Sequence, residues 1–151
     1  MDSEAEPAPD AGAIDRGELA GLLGYHLRRA QIAMFQSFAR ATAGEDVRPG
    51  QLGVMLLLAA NPGLNQTRLG RAIGIDRSTL VAVLDRLEKR GLLTRTPSPG
   101  DRRSRSLHLT AAGVSFLEGV MPKVRRHEED LAVDLSGEER RLLLTLLRRI
   151  G

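Results

Sequence analysis

The stretch from Asp76 to Thr110 constrains the fold most. Asp76 is a helix N-cap by residue type, and Leu80, Val83, Leu84 and Leu87 follow at i, i+3, i+4 and i+7, which puts them on one inward face. Gly91 stops that helix. Leu92–Thr96 and Arg105–Leu109 read as two short strands, with Leu107 and Leu109 alternating with Ser106 and His108. Pro97-Ser98-Pro99-Gly100-Asp101 between them is turn chemistry. Arg102, Arg103 and Arg105 crowd the start of the returning strand. A helix followed by an arginine-tipped hairpin touches two adjacent surfaces of one DNA duplex.

The flanking elements are helical. A long helix is expected from about Asp15 to Ala43, with Leu19, Leu22, Leu23, His26, Leu27, Ala30, Met34 and Phe38 along one stripe. Pro49 suits the first turn of a second helix, apolar nearly all round and therefore a core element. Asn61-Pro62-Gly63 breaks it. Asn65 caps a short third helix, and Gly74 supplies its left-handed end. That helix, Gly74 and the helix after Asp76 make a helix-turn-helix. Thr110 caps a long fifth helix to about Val133, which Pro122 should kink or divide. Ser136 and Glu139 fit a capping box for a final helix carrying Leu142, Leu143, Leu146, Leu147 and Ile150. The fold class is mainly α with a small β-hairpin wing: a winged helix-turn-helix core flanked by N- and C-terminal dimerisation helices. The expected boundaries are an acidic disordered tail at 1–13, an N-terminal dimerisation helix at 14–46, the DNA-binding domain at 47–110 and C-terminal dimerisation helices at 111–151.

Charge points the same way. The chain carries a net +3, but Asn65–Arg105 holds ten Lys/Arg against four Asp/Glu. That concentration is the footprint of a nucleic-acid surface rather than of a merely solubilised helix face. The terminal helices carry more apolar surface than one chain can hide, so a homodimer is expected in place of a self-contained bundle. There is no cysteine, which removes thiolate catalysis, cysteine redox sensing and cysteine-ligated zinc. No apolar run approaches ~18 residues and no secretory leader is apparent, so the expected compartment is the cytoplasm, with no membrane partner.

With these residues in place the chain resembles the MarR family of transcriptional regulators. The likeness runs from about Pro49 to Gly113. Its most specific parts are Gly74-Ile75-Asp76-Arg77-Ser78-Thr79, Leu84-Asp85-Arg86-Leu87-Glu88, Asp101-Arg102-Arg103 and Leu107-His108-Leu109-Thr110-Ala111-Ala112-Gly113. Arg48 departs from the pattern, standing where the family usually has a threonine cap. The resemblance implies a homodimeric winged helix-turn-helix protein, usually a repressor released by a small ligand. Gly24-Tyr25-His26-Leu27-Arg28-Arg29-Ala30-Gln31, with Phe35 and Phe38, is similar to members that respond to hydroxycinnamoyl-CoA and related aromatic-acid thioesters.

The residues take roles accordingly. Arg77, Ser78, Thr79, Val81 and Ala82 face base edges and phosphates in the major groove, and Arg86 backs them, tied to Asp85 or reaching a phosphate. In the wing, Asp101 holds Arg103 for the minor groove while Arg102 and Arg105 take phosphates. The DNA partner is a pseudo-palindromic operator with half-sites roughly 10 bp apart. The effector implied is an aromatic carboxylate or aryl-CoA thioester. Its wall would be Tyr25, Met34, Phe35 and Phe38, with Arg28 or Arg29 as anion partner. No cofactor and no metal site is expected. His127-Glu128-Glu129-Asp130 reads as a solvated acidic face, since adjacent residues point around a helix. Enzyme chemistry has little support, because His26, His108 and His127 sit on separate elements and no phosphate-loop or dinucleotide pattern occurs. A ligand-independent architectural DNA-binding protein and a metal-responsive regulator of the same fold are the alternatives.

Overall fold

A computed structural model describes residues 14–150. The expectation of a disordered tail at 1–13 lies outside the described residues. The elements are a 3-10 turn (Gly17–Gly21), α1 (Leu23–Ala41), α2 (Pro49–Ala60), β1 (Leu64–Asn65), α3 (Gln66–Ile73), α4 (Arg77–Lys89), β2 (Leu93–Ser98), β3 (Asp101–Leu109), α5 (Ala111–Leu131) and α6 (Gly137–Leu147). Helices and a small wing sheet are thus what the sequence leads one to expect. No described helix is long and apolar enough to cross a membrane.

Two compact units divide the chain within α1, between Ala33 and Met34. In the first, the expected single helix from Asp15 is interrupted. Gly17 adopts φ +49°, the 3-10 turn ends at an extended Leu22, and α1 starts only at Leu23. Three glycines, at positions 17, 21 and 24, weaken helical continuity there. Leu19, Leu22, Leu23 and Ile32 are all exposed.

The second unit holds the core. Val54, Met55 and Leu58 of α2 are buried to within 1% of their surface, as are Leu80, Leu84 and Leu87 of α4. Each such burial is worth roughly 1.5–3 kcal/mol. Pro49 stands at the start of α2, and the buried Gln51 side chain accepts the backbone N–H of Arg48 at 2.9 Å. The missing threonine cap is thereby offset from the third helical position. Asn65 accepts Arg68 N–H, and Gly74 closes α3 in the left-handed region at φ +72°. Asp76 accepts Thr79 N–H and the hydroxyls of Ser78 and Thr79.

The wing differs from the expected two-stranded hairpin. Leu64–Asn65 adds a short third strand, giving the antiparallel order β1-β3-β2. The turn shrinks to Pro99-Gly100, because Pro97 and Ser98 belong to β2 and Asp101 to β3. The register runs from Leu93↔Leu109 to Pro97↔Arg105 and then jumps to Ser98↔Asp101. Arg102, Arg103 and Ser104 are therefore thrown outward as a bulge on β3, opposite a proline that has no N–H to offer.

The far end of the wing locks to α5. Thr110 caps α5 through Gly113 N–H and donates its hydroxyl to Gly91 O at 2.6 Å, while its own N–H reaches Leu92 O. A Cβ on Gly113 would lie 2.1 Å from Leu92 O. Only glycine fits that approach. α5 runs undivided through Pro122. α6 has the expected Ser136–Glu139 capping box but ends at Leu147, before Ile150, and buries none of its residues.

Gly113→Ala is expected to lower stability by about 3 kcal/mol, the upper end of what overpacking costs; an unchanged denaturant midpoint would refute the close approach. A second expectation concerns acid. The Ser78 hydroxyl first, then Thr79, holds the Asp76 carboxyl below its ordinary value near 3.8. A folded-state value below the unfolded one stabilises the fold above that pH, and the contribution is lost as pH falls below it. Asp76→Asn, which keeps the cap but not the titration, should flatten the acid limb of the pH–stability curve below about pH 4. Superimposable limbs for the two proteins would exclude this linkage.

Candidate nucleic-acid interface

The first turn of α4, the start of α3 and the bulge of β3 surround one concave basin of about 500 Å³. Arg71, Arg77, Arg103 and Arg105 line it, with Asn65, Gln66 and Thr67 at the α3 side. Among the described residues none of these four guanidinium groups has a carboxylate partner. Four free guanidinium groups around one hollow make a surface suited to a polyanion. Arg71, Gln66 and Thr67 are additions to the residues that the sequence singles out. Their signal lies in the positive run itself, but which of its arginines face the wing is a matter of tertiary placement.

The predicted recognition residues are found on the exposed side of α4. Arg77, Ser78, Thr79 and Ala82 are exposed and Val81 is partly so. The hydroxyls of Ser78 and Thr79 both donate to Asp76, each at 2.5 Å. Outward they present lone pairs, so toward DNA they are acceptors. Arg86 is not tied to Asp85. It reaches across to Asp46 of the α1–α2 loop at 2.6 Å, where Arg90 also donates to the Asp46 carbonyl. Asp46 stands at φ +41°, the one described non-glycine residue in that region. Asp85 is taken instead by Arg95 of β2.

In the wing, Asp101 accepts the backbone N–H of Arg103 at 2.9 Å. The carboxylate fixes the bulge and leaves the Arg103 guanidinium to point outward unpartnered. Arg102 and Arg105 are exposed beside it.

A second groove, of about 610 Å³, lies where the end of α1 and the start of α2 meet α4. Its walls include Phe35, Phe38, Val47 and Val83, with Arg48, Thr79 and Arg86 around them. Of the residues proposed for an effector, Phe35 and Phe38 line this groove, while Met34 packs against the core. Phe38 is a core residue, 4% exposed, rather than a purely surface wall. Tyr25, Arg28 and Arg29 belong to the first unit. There Arg29 donates to the Tyr25 hydroxyl and lies over its ring, lowering the phenol's pKa, and Arg28 donates to Gln31. That Arg48, Thr79 and Arg86 meet at this groove has no signal in the sequence, because no spacing in the chain relates Arg48 to the other two.

His127 corrects an expectation. It is not part of a solvated acidic face: it is 2% exposed, its Nε2 lies 2.7 Å from Ser37 Oγ, and its ring stands edge-on to Phe38. The α5 face that carries Val120 and Val124 carries His127 too, so the helical period buries it. Among the described residues no three His, Asp or Glu side chains gather as metal ligands.

Known proteins share this arrangement. Residues 45–104 match the MarR family. A putative transcriptional regulatory protein for the hcr operon of Thauera aromatica is 44% identical over 142 residues, covering 93% of this chain and 86% of that protein. The transcriptional repressor CouR bound to a 23-mer DNA duplex superposes with a TM-score of 0.86 at 45% identity, over 91% of this chain and 98% of CouR. CouR bound to p-coumaroyl-CoA gives 0.83 at 42% identity, over 91% and 97%. The chain belongs to the MarR family, whose members are DNA-binding transcriptional regulators and not enzymes.

Proposed function

We propose that the chain is a homodimeric repressor that reads a pseudo-palindromic operator and leaves it on binding an aromatic-acid thioester. The observation that carries the DNA half is the shared basin: α3, the recognition helix and the wing together present four guanidinium groups, unpaired among the described residues, to one hollow. Residues 47–110 do the reading, and 14–46 and 111–151 assemble the dimer in the cytoplasm. α4 enters the major groove. Arg77 takes a guanine edge or a phosphate, and Val81 and Ala82 meet thymine methyl groups. Ser78 and Thr79, already donating to Asp76, accept from the amino groups of adenine or cytosine. Arg86, held by Asp46, steadies α4 from behind. Arg103 enters the minor groove, with Arg102 and Arg105 on the flanking phosphates.

The dimer reading rests on apolar surface left bare. Leu142, Leu143, Leu144, Leu146 and Leu147 of α6 are each at least 39% exposed, and the first unit separately exposes Leu19, Leu22 and Leu23. Surface of that extent marks an interface.

The effector reading rests on the second groove and on CouR, whose structures include one with a DNA duplex and one with p-coumaroyl-CoA. Phe35, Phe38 and Val83 suit an aromatic ring, and Arg48 and Arg86 suit an anionic or carbonyl group beside it. Because α4 forms one wall, an occupant acts on the recognition helix directly. It shifts the equilibrium only by its differential affinity for the DNA-bound and free forms.

Two measurements test these halves on a duplex selected by the wild-type chain from a random pool. Arg103→Ala should cost about 1–3 kcal/mol of DNA affinity with the thermal midpoint unmoved; retained affinity would reject the minor-groove role. Titrating p-coumaroyl-CoA into the complex should release the DNA, with free p-coumarate weaker. Retention against both would favour a ligand-independent DNA-binding protein.

A further inference from the structure

Arg95 of β2 faces the wrong way for a charged residue. It shares its strand face with the buried Leu93 and points at α4, with its side chain only 22% exposed. Two carboxylates one helical turn apart meet it there: Asp85 at 2.6 Å and Glu88 in closer contact still. A leucine or methionine would fill such a half-buried position, and replacing an ion pair of this kind with an apolar side chain is often neutral for stability. What the apolar side chain lacks is direction. A planar guanidinium gripped by two carboxylates fixes both the distance and the rotation between its strand and their helix.

We infer that the Asp85–Arg95–Glu88 fork is a positioning device that sets the angle of the wing to the recognition helix, so that both grooves are engaged at once. This rests on the DNA-binding reading above. The fork is the side-chain ion linkage found between α4 and the hairpin among the described residues. It sits at the wing's root, while Arg102, Arg103 and Arg105 project from its tip. A small rotation at the root becomes a larger displacement at the tip. The fork also neutralises Asp85, which otherwise sets a negative charge beside the DNA-facing side of α4.

The test is a double-mutant cycle on the selected duplex. Arg95→Met should keep the unfolding midpoint, weaken DNA binding about tenfold and flatten the salt dependence of log K, because phosphate contacts made by the wing are lost. In the Arg95→Met background Arg103→Ala should cost much less than in wild type, since the wing is already misplaced. Arg95→Lys, which offers one point charge where the fork needs two contacts, should recover part of the affinity. Additive effects of Arg95→Met and Arg103→Ala with an unchanged salt slope would overturn the inference while leaving DNA binding in place. A collapse of the unfolding midpoint in both Arg95 variants would make the fork a folding element and overturn it as well. Failure of the wild-type chain to select any duplex would overturn both readings.

Discussion

The approach of Gly113 to the carbonyl of Leu92 is the constraint on which the second unit depends. At that point α4 has just ended, β2 begins, β3 has just returned and α5 starts. Thr110 joins them with three hydrogen bonds: its N–H donates to Leu92 O, its hydroxyl donates to Gly91 O, and its Oγ1 accepts the Gly113 N–H. The backbone groups left open after α4 and at the start of α5 are thereby satisfied, two of them by the Thr110 hydroxyl. The root of the wing is fixed in this way where the recognition helix ends, the hairpin closes and α5 begins.

Electrostatics then decides what that unit presents. Asn65–Arg105 contains only four acidic residues, and each is occupied from within. Asp76 is spent on the start of α4, Asp85 and Glu88 hold Arg95, and Asp101 takes the backbone of the bulge. The arginines at 71, 77, 102, 103 and 105 are left facing solvent, with no carboxylate partner among the described residues. A net charge of only +3 over the chain therefore coexists with a strongly positive surface, because the compensating acids lie elsewhere or are turned inward. Long-range attraction to DNA follows from this distribution rather than from the total.

Much of this is legible in the sequence, for local reasons. Asn65, Asp76, Thr110 and Ser136 cap helices by short-range hydrogen bonds that residue type and spacing reveal. The leucines of α4 declare their buried face by period. What the sequence hides is tertiary. The pairing of Arg86 with Asp46 spans 40 residues, and that of Ser37 with His127 spans 90. The bulge at Arg102–Ser104 arises from a register jump, which turn-forming residues alone place in the loop. The start of α1 misleads because an apolar stripe continues through glycines that break the backbone. The hollow between wing and helices, and the groove beside Phe35 and Phe38, exist only once distant segments meet.

Footprinting of the wild-type chain on its selected duplex bears most directly on the central claim, that helix and wing read two grooves of one DNA. Dimethyl sulfate protection at guanine N7 reports the major groove, and hydroxyl-radical protection of the sugars reports the minor groove. Major-groove protections are expected in two symmetric half-sites about 10 bp apart, each flanked by a minor-groove protection where Arg103 lies. Protection confined to one groove, or a single patch without two-fold symmetry, would contradict it.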